Sequence, residues 1–182
     1  MRIIAGSLRG RRLKTLPGAE TRPSAGKVRE AVFSSLQALV PASTCLDLCA
    51  GSGSMGIEAL SRGAEFCYFV DNSPRACEVV RANLATLALG GRASVLCMDA
   101  EAACRRLARQ GGMCIDIAFL DPPYAKEDVY RRSVLAMKSL LRPGAVLVIE
   151  HSPQLQLQVP YQYIKTKIYG STAISYYRNG GD

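Results

Sequence analysis

From residue 44 to residue 150 the chain repeats one unit, and that repetition limits its fold more than any other feature. A short apolar run is followed by a break and then by a stretch with helical spacing. The runs are CLDLC (45–49), FCYFV (66–70), ASVLC (93–97), IDIAFL (115–120) and AVLVIE (145–150). Between them, helical spacing covers about 56–62, 74–88, 100–109 and 128–140. Short apolar strands alternating with helices predict a parallel sheet covered by helices on both faces. The tail YQYIKTKIYGSTAISYYR breaks the rhythm and reads as two strands joined at Gly170 and Ser171, a hairpin and hence antiparallel. The expected architecture is α/β and Rossmann-like, with five parallel strands plus an antiparallel C-terminal hairpin.

The first 40 residues read differently. RIIAGSLRGRRLKTL predicts a short irregular β-hairpin, PGAETRPS a linker, and Ser24 the N-cap of a helix to about Leu39, stopped by Pro41. Residues 1–40 are therefore expected to form a small extension and residues 41–182 the main domain. Residues 1–30 carry eight of the basic side chains (Arg2, Arg9, Arg11, Arg12, Lys14, Arg22, Lys27, Arg29) against Glu20 and Glu30, leaving +6 of the net +8 in one sixth of the chain. Such a cluster attracts a polyanion, and nucleic acid is the usual one.

No apolar run is long enough for a membrane span, and MRIIAGSLRG is interrupted too soon for a secretory signal, so a cytoplasmic location is expected. Seven cysteines without a C-x-x-C read as buried small hydrophobes rather than metal ligands, and no metal is expected.

LDLCAGSGSMGIEAL (46–60) contains G-x-G-x-x-G in Gly51, Gly53 and Gly56. This loop takes several nucleotide cofactors, and the acids around it discriminate among them. In a dinucleotide enzyme it faces a pyrophosphate, which nearby carboxylates would repel. Here Asp47 precedes the loop, an acid suited to a ligand carrying positive charge. Asp71 closes the second strand, where a carboxylate accepts hydrogen bonds from ribose hydroxyls. Asp99 ends the third strand, within reach of an adenine amino group. Three acids at successive strand ends favour S-adenosylmethionine, which has an ammonium and a sulfonium.

After the fourth strand comes DPPY (121–124). Two prolines make the loop stiff. Asp121 and the Pro122 carbonyl are acceptors and Tyr124 is a stacking plate, together suited to a planar base with an exocyclic amine. Holding both amine hydrogens turns the nitrogen lone pair towards a methyl donor and stabilises the charge forming on nitrogen. The tetrapeptide does not separate guanine from adenine, and an RNA-binding assembly factor with a retained cofactor fold is a further reading. A base reaches such a pocket only when unstacked, and the basic extension offsets that cost with phosphate contacts.

In RIIAGSLRGRRL, TRPSAGKVREAVFSSL, DLCAGSGSMGIEALSRGA and FLDPPY the chain resembles the RsmD family of 16S ribosomal RNA guanine-N2 methyltransferases, over nearly its whole length. The last two motifs are shared by many amino-methyltransferases; the first two are more specific. The resemblance implies a class I methyltransferase fold, S-adenosylmethionine as donor, and methylation of one guanine N2 in small-subunit rRNA, within the subunit or an assembly intermediate; separately, the chain is expected to act as a monomer. It implies that Asp47, Gly51, Ser52 and Gly53 hold the methionine part, Asp71 and Asn72 the ribose, Asp99 and Ala100 the adenine, and Asp121, Pro122 and Tyr124 the guanine. Arg22, Pro23 and the helix with Arg29 and Glu30 would lie over the mouth of the site. The run RPSAGK departs from the family where Gly26 lacks a side chain, as does Ser34 in place of the usual Asn. Glu150 and His151 end the fifth strand; the reaction requires no base there, and His151 is expected to be structural.

Overall fold

The computed structural model describes residues 1–16, 23–111, 114–122, 127–156 and 158–181. Seven strands form one sheet: β1 (Thr44–Leu48), β2 (Phe66–Asp71), β3 (Ala93–Cys97), β4 (Ile115–Leu120), β5 (Leu141–His151), β6 (Gln162–Tyr169) and β7 (Thr172–Arg178). Their order is β3-β2-β1-β4-β5-β7-β6. The first five are parallel, and β7 inserts antiparallel between β5 and β6. The sheet is thus Rossmann-like with a terminal hairpin, as the alternation predicts.

Alternate residues of each strand enter opposite cores. Cys45, Cys67, Phe69, Ile117, Phe119, Val146 and Val148 pack beneath α1 (Pro23–Ser35), α2 (Ser54–Ser61) and α3 (Pro74–Thr86). Leu46, Leu48, Val70, Ala118, Leu120, Leu147 and Ile149 pack beneath α4 (Ala100–Gly111) and α5 (Glu127–Ala136). Burial on both faces is why these strands read as unbroken apolar runs.

Local chemistry sets the boundaries. Gly53, at φ 78°, opens α2 at Ser54, two residues before the expected start. Ser73 caps α3 by accepting from the Ala76 N–H at 3.3 Å, with Pro74 at the first helical position. Ala88, at φ 55°, follows the end of that helix, which closes at Thr86 rather than at 88. Regular α1 ends at Ser35, short of Leu39, and the chain continues to Val40 through bonds from the Leu36 and Val40 N–H groups to the Val32 and Leu36 carbonyls.

The N-terminal hairpin is reduced to one antiparallel bridge, Arg2 with Arg12. Gly6 and Gly10, both at positive φ, bend the intervening chain. A Cβ on Gly6 would stand 1.9 Å from the Ser61 carbonyl oxygen, so the bend rests directly on the end of α2. Ile3 and Leu13 are buried in the same core as α1, α2 and α3.

Candidate active site

The strand order reverses between β1 and β4, and in open α/β sheets the crevice beyond the strand ends at such a point takes ligands. A cavity of ≈ 750 Å³ lies there. Its wall is built from Cys49 and Gly51 after β1, Asp71, Asn72 and Ser73 after β2, Met98, Asp99, Ala100 and Glu101 after β3, and Asp121 and Pro122 after β4. Val129, Arg132 and Ser133 of α5 complete it. The size suits a nucleoside-containing ligand.

The glycine loop is held from beneath. Cys49, Gly51 and Gly53 all take positive φ, which folds the chain back from β1 into α2. A Cβ on Gly56 would lie 2.4 Å from Phe69 Cε1 and 2.6 Å from Cys67 Sγ, so only glycine lets α2 sit this close to β2. The Gly51 N–H donates to Asp71 Oδ2 at 2.8 Å, and Asn83 Nδ2 donates to the Ser52 carbonyl at 3.0 Å.

The sequence-predicted acids occupy different places. Asp47 is 4% exposed, and its Oδ2 accepts from the Gly56 N–H at 2.9 Å. It lies under the loop and, with Ser52 and Gly53, is not among the residues lining the cavity. Burial pushes its carboxyl up to about 7, against the pull of the Gly56 N–H and with the like charge of Asp71. Asp71 lines the cavity while its two oxygens accept from the Gly51 and Ser73 N–H groups at 2.8 and 2.9 Å. A carboxylate has about four acceptor sites, so capacity remains for hydroxyl donors. Asp99 caps α4 by accepting from the Ala102 N–H at 2.8 Å, and Asn72 and Ala100 line the same cavity.

Asp121 and the buried Pro122 open onto the same cavity. Partial enclosure by the cleft wall raises the Asp121 carboxyl, followed by the like charges of Glu150 and then Asp47; water at its exposed edge moderates the effect. Cys49 reports the same field. Burial, then Asp71, Asp121 and Asp47, push its thiol up to about 12. The described cation on the cavity wall, Arg132, is turned to Glu101 and Asp128 at 3.2 and 2.9 Å. The cleft is therefore anionic and suits a ligand that brings positive charge. Tyr124 and Arg22 lie outside the described residues.

His151 takes the structural place expected of it. The Ser152 carbonyl can only accept, so Nδ1 donates to it at 2.8 Å, leaving Nε2 to accept from the Ser175 hydroxyl at 2.7 Å. The Thr166 hydroxyl pairs with the Ser175 Oγ at 2.7 Å, completing a polar row across β5, β7 and β6. Burial lowers the His151 pKa, which keeps the ring neutral.

Arg2, Arg9, Arg11, Arg12, Lys14 and Lys27 are exposed. Arg29 is not, and its expected contact with RNA is corrected. It is 5% exposed, donates to the Arg2 carbonyl at 2.7 Å and the Met1 sulfur at 3.0 Å, and stands 3.6 Å from Glu58. Glu58 itself, on α2 and 1% exposed, was not singled out by the sequence reading. It accepts from the Ile4 and Ala5 N–H groups at 2.8 and 3.0 Å and from Arg62 Nε at 2.8 Å. Its signal was a lone acid inside the apolar helix MGIEAL.

A family profile described as "Conserved hypothetical protein 95" matches residues 1–178. YlbH of Bacillus subtilis is 38% identical over the full length of both chains. "Ribosomal RNA small subunit methyltransferase D" of Haemophilus influenzae is 32% identical, covering 98% of this chain and 94% of that one. The solved structure of Escherichia coli yhhF superposes with a TM-score of 0.86 at 28% identity, covering 100% and 99% of the two chains.

Proposed function

Since this chain belongs to the conserved hypothetical protein 95 family, that of the RsmD rRNA methyltransferases, we propose that it methylates the exocyclic N2 of one guanine in small-subunit 16S rRNA. The observation that carries this reading is that Asp121 and Pro122, acceptors for an amine, open onto the same cavity as Asp71, Asn72, Asp99 and Ala100.

S-adenosylmethionine, the cofactor, supplies a methyl group on an electrophilic sulfonium. The Asp71 carboxylate and Asn72 receive the ribose, and Asp99 and Ala100 border the adenine. Gly51 gives the methionine end a close backbone approach, and Asp47 acts from below through its charge. The Asp121 carboxylate and the Pro122 carbonyl accept the two N–H bonds of the guanine amine. That orients the nitrogen lone pair for in-line attack, and Asp121 stabilises the positive charge that develops on nitrogen. The raised proton affinity of Asp121 makes it a better acceptor for the proton that the amine sheds. Tyr124 stacks on the base. Residues 1–40 act as the RNA-contacting extension and 41–182 as the catalytic domain, with Arg2, Arg9, Arg11, Arg12, Arg22 and Lys27 meeting phosphates.

The test is nucleoside mass spectrometry of unmodified small-subunit rRNA, free and within the particle, incubated with the protein and S-adenosylmethionine. N2-methylguanosine is the expected product. A methyl group on adenine N6, or none on either substrate, would overturn the reading.

A further inference from the structure

The end of β2 that shapes the ribose side of the cleft is flanked by two thiols. Asp71 and Cys97 are register partners on β2 and β3. Partners on adjacent parallel strands lie about 4.8 Å apart with side chains on the same face. Cys77 comes from α3, which packs on that face, and its thiol donates to the Asp71 carbonyl at 3.4 Å. Both thiols therefore flank Asp71, Cys77 through the Asp71 carbonyl and Cys97 as its register partner on the same face of the sheet. Their exposures differ: Cys77 is fully buried, whereas Cys97 is open to solvent on the edge strand. Cys45 and Cys67 are also register partners, but both are 0% exposed and beyond the reach of an oxidant.

We propose that Cys77 and Cys97 form a reversible dithiol–disulfide pair whose oxidation weakens cofactor binding at the neighbouring strand end. The oxidant is a low-molecular-weight disulfide, RSSR. The Cys97 thiolate attacks one of its sulfurs, forming a mixed disulfide and releasing RS⁻. The Cys77 thiolate then attacks the Cys97 sulfur and releases the second RS⁻, so that two protein thiols and one RSSR give one protein disulfide and two RSH. The division of labour follows from access: Cys97 meets the reagent, and Cys77 resolves the adduct. Burial, with Cys97 adding to it, holds the Cys77 thiol up at about 12, so the resolving step is the slower one.

The bond reaches the cleft through short links. It removes the Cys77 donor from the Asp71 carbonyl, and an S–S length of about 2.05 Å draws the first turn of α3 towards β3. That turn is tied by the Cys77 N–H to the Ser73 carbonyl at 3.0 Å, and Ser73 and Asp71 both line the cavity.

The affinity half rests on the cofactor reading of the cleft. The full chain is incubated with oxidised glutathione, mapped by peptide mass spectrometry, and titrated calorimetrically with S-adenosylmethionine before and after dithiothreitol. The expected result is a crosslink between residues 77 and 97 and a dissociation constant raised about three- to tenfold, the worth of one displaced hydrogen bond, and restored by reduction. Cys97→Ser is expected to bind like the reduced chain and to ignore the oxidant. A Cys97 adduct that never resolves onto Cys77, or a crosslink that leaves affinity unchanged, overturns the proposal. A reduced chain without donor affinity would overturn the cofactor reading and the affinity half together, while the crosslink map would still decide the pairing.

Discussion

Asp47 serves the cleft at a cost to stability. Its ordinary value of 3.8 rises to about 7 in the fold, so between those values the native state holds a proton that the unfolded chain has released. For this group, stability is complete below the unfolded value and is lost as pH rises towards 7, at about 1.4 kcal/mol per pH unit. Asp47→Asn keeps an oxygen for the Gly56 N–H and removes the charge. Urea denaturation between pH 4 and 8 should show the wild type losing stability relative to the variant, while the variant binds S-adenosylmethionine more weakly. Parallel curves would mean that Asp47 titrates like a surface acid. Asp121 presents the opposite case, acting in the transition state. Asp121→Ala should lower single-turnover methylation by about 10²–10³-fold with donor affinity nearly unchanged; comparable loss of donor affinity would reassign the residue. The placing of Asp71, Asp99 and Asp121 around one cavity was legible because strand ends are where a doubly wound fold meets its ligands; the position of Asp47 beneath the loop was not. Arg29 was misread because charge along the sequence says nothing of burial: its anionic neighbour, Glu58, lies on a different helix and only tertiary packing brings them together.

At the scale of elements, Glu58 joins the N-terminal segment to α2. It receives two backbone N–H groups and two arginines from within the protein. Removing one side of a buried charged network leaves the other uncompensated, so Glu58→Ala should cost about 3–5 kcal/mol. Hydrogen exchange should quicken first in residues 1–16. Uniform loss of protection would make Glu58 a part of the global core instead. Gly56→Ala places a methyl against Phe69 and Cys67, both 0% exposed, and should cost about 1–3 kcal/mol in thermal or chemical unfolding. Strands β3 and β4 coincide with the runs read from the sequence, since both are bounded by turn or capping residues. Strand β5 begins four residues early because Pro143 and Gly144 look like a turn. A shift in its pairing with β4 between Ile115 and Ile117 accommodates them, and no local signal announces it.

The whole molecule concentrates positive charge on the segment that α2 holds in place. Ile3 and Leu13 are core residues, so truncating this segment would damage the fold along with RNA binding. Neutralising the exposed Arg9, Arg12 and Lys14 to Gln keeps the core intact. The slope of log K against log salt should then flatten by about 0.7–0.9 for each phosphate that is no longer neutralised. An unchanged slope would put the RNA path elsewhere on the surface. The parallel sheet and its hairpin were legible from pattern alone, but the insertion of β7 between β5 and β6 was not, because a hairpin's sequence does not say which of its arms pairs inward. That insertion has a consequence for synthesis. Strand β7, translated after the other six, fills an interior slot, so a growing polypeptide that already holds all five parallel strands still presents β5 as an unfilled margin. Strand β5 gains its outer partner, and β6 its place at the edge, only after residues 172–178 emerge, and premature termination within them should yield aggregating fragments rather than a smaller folded enzyme.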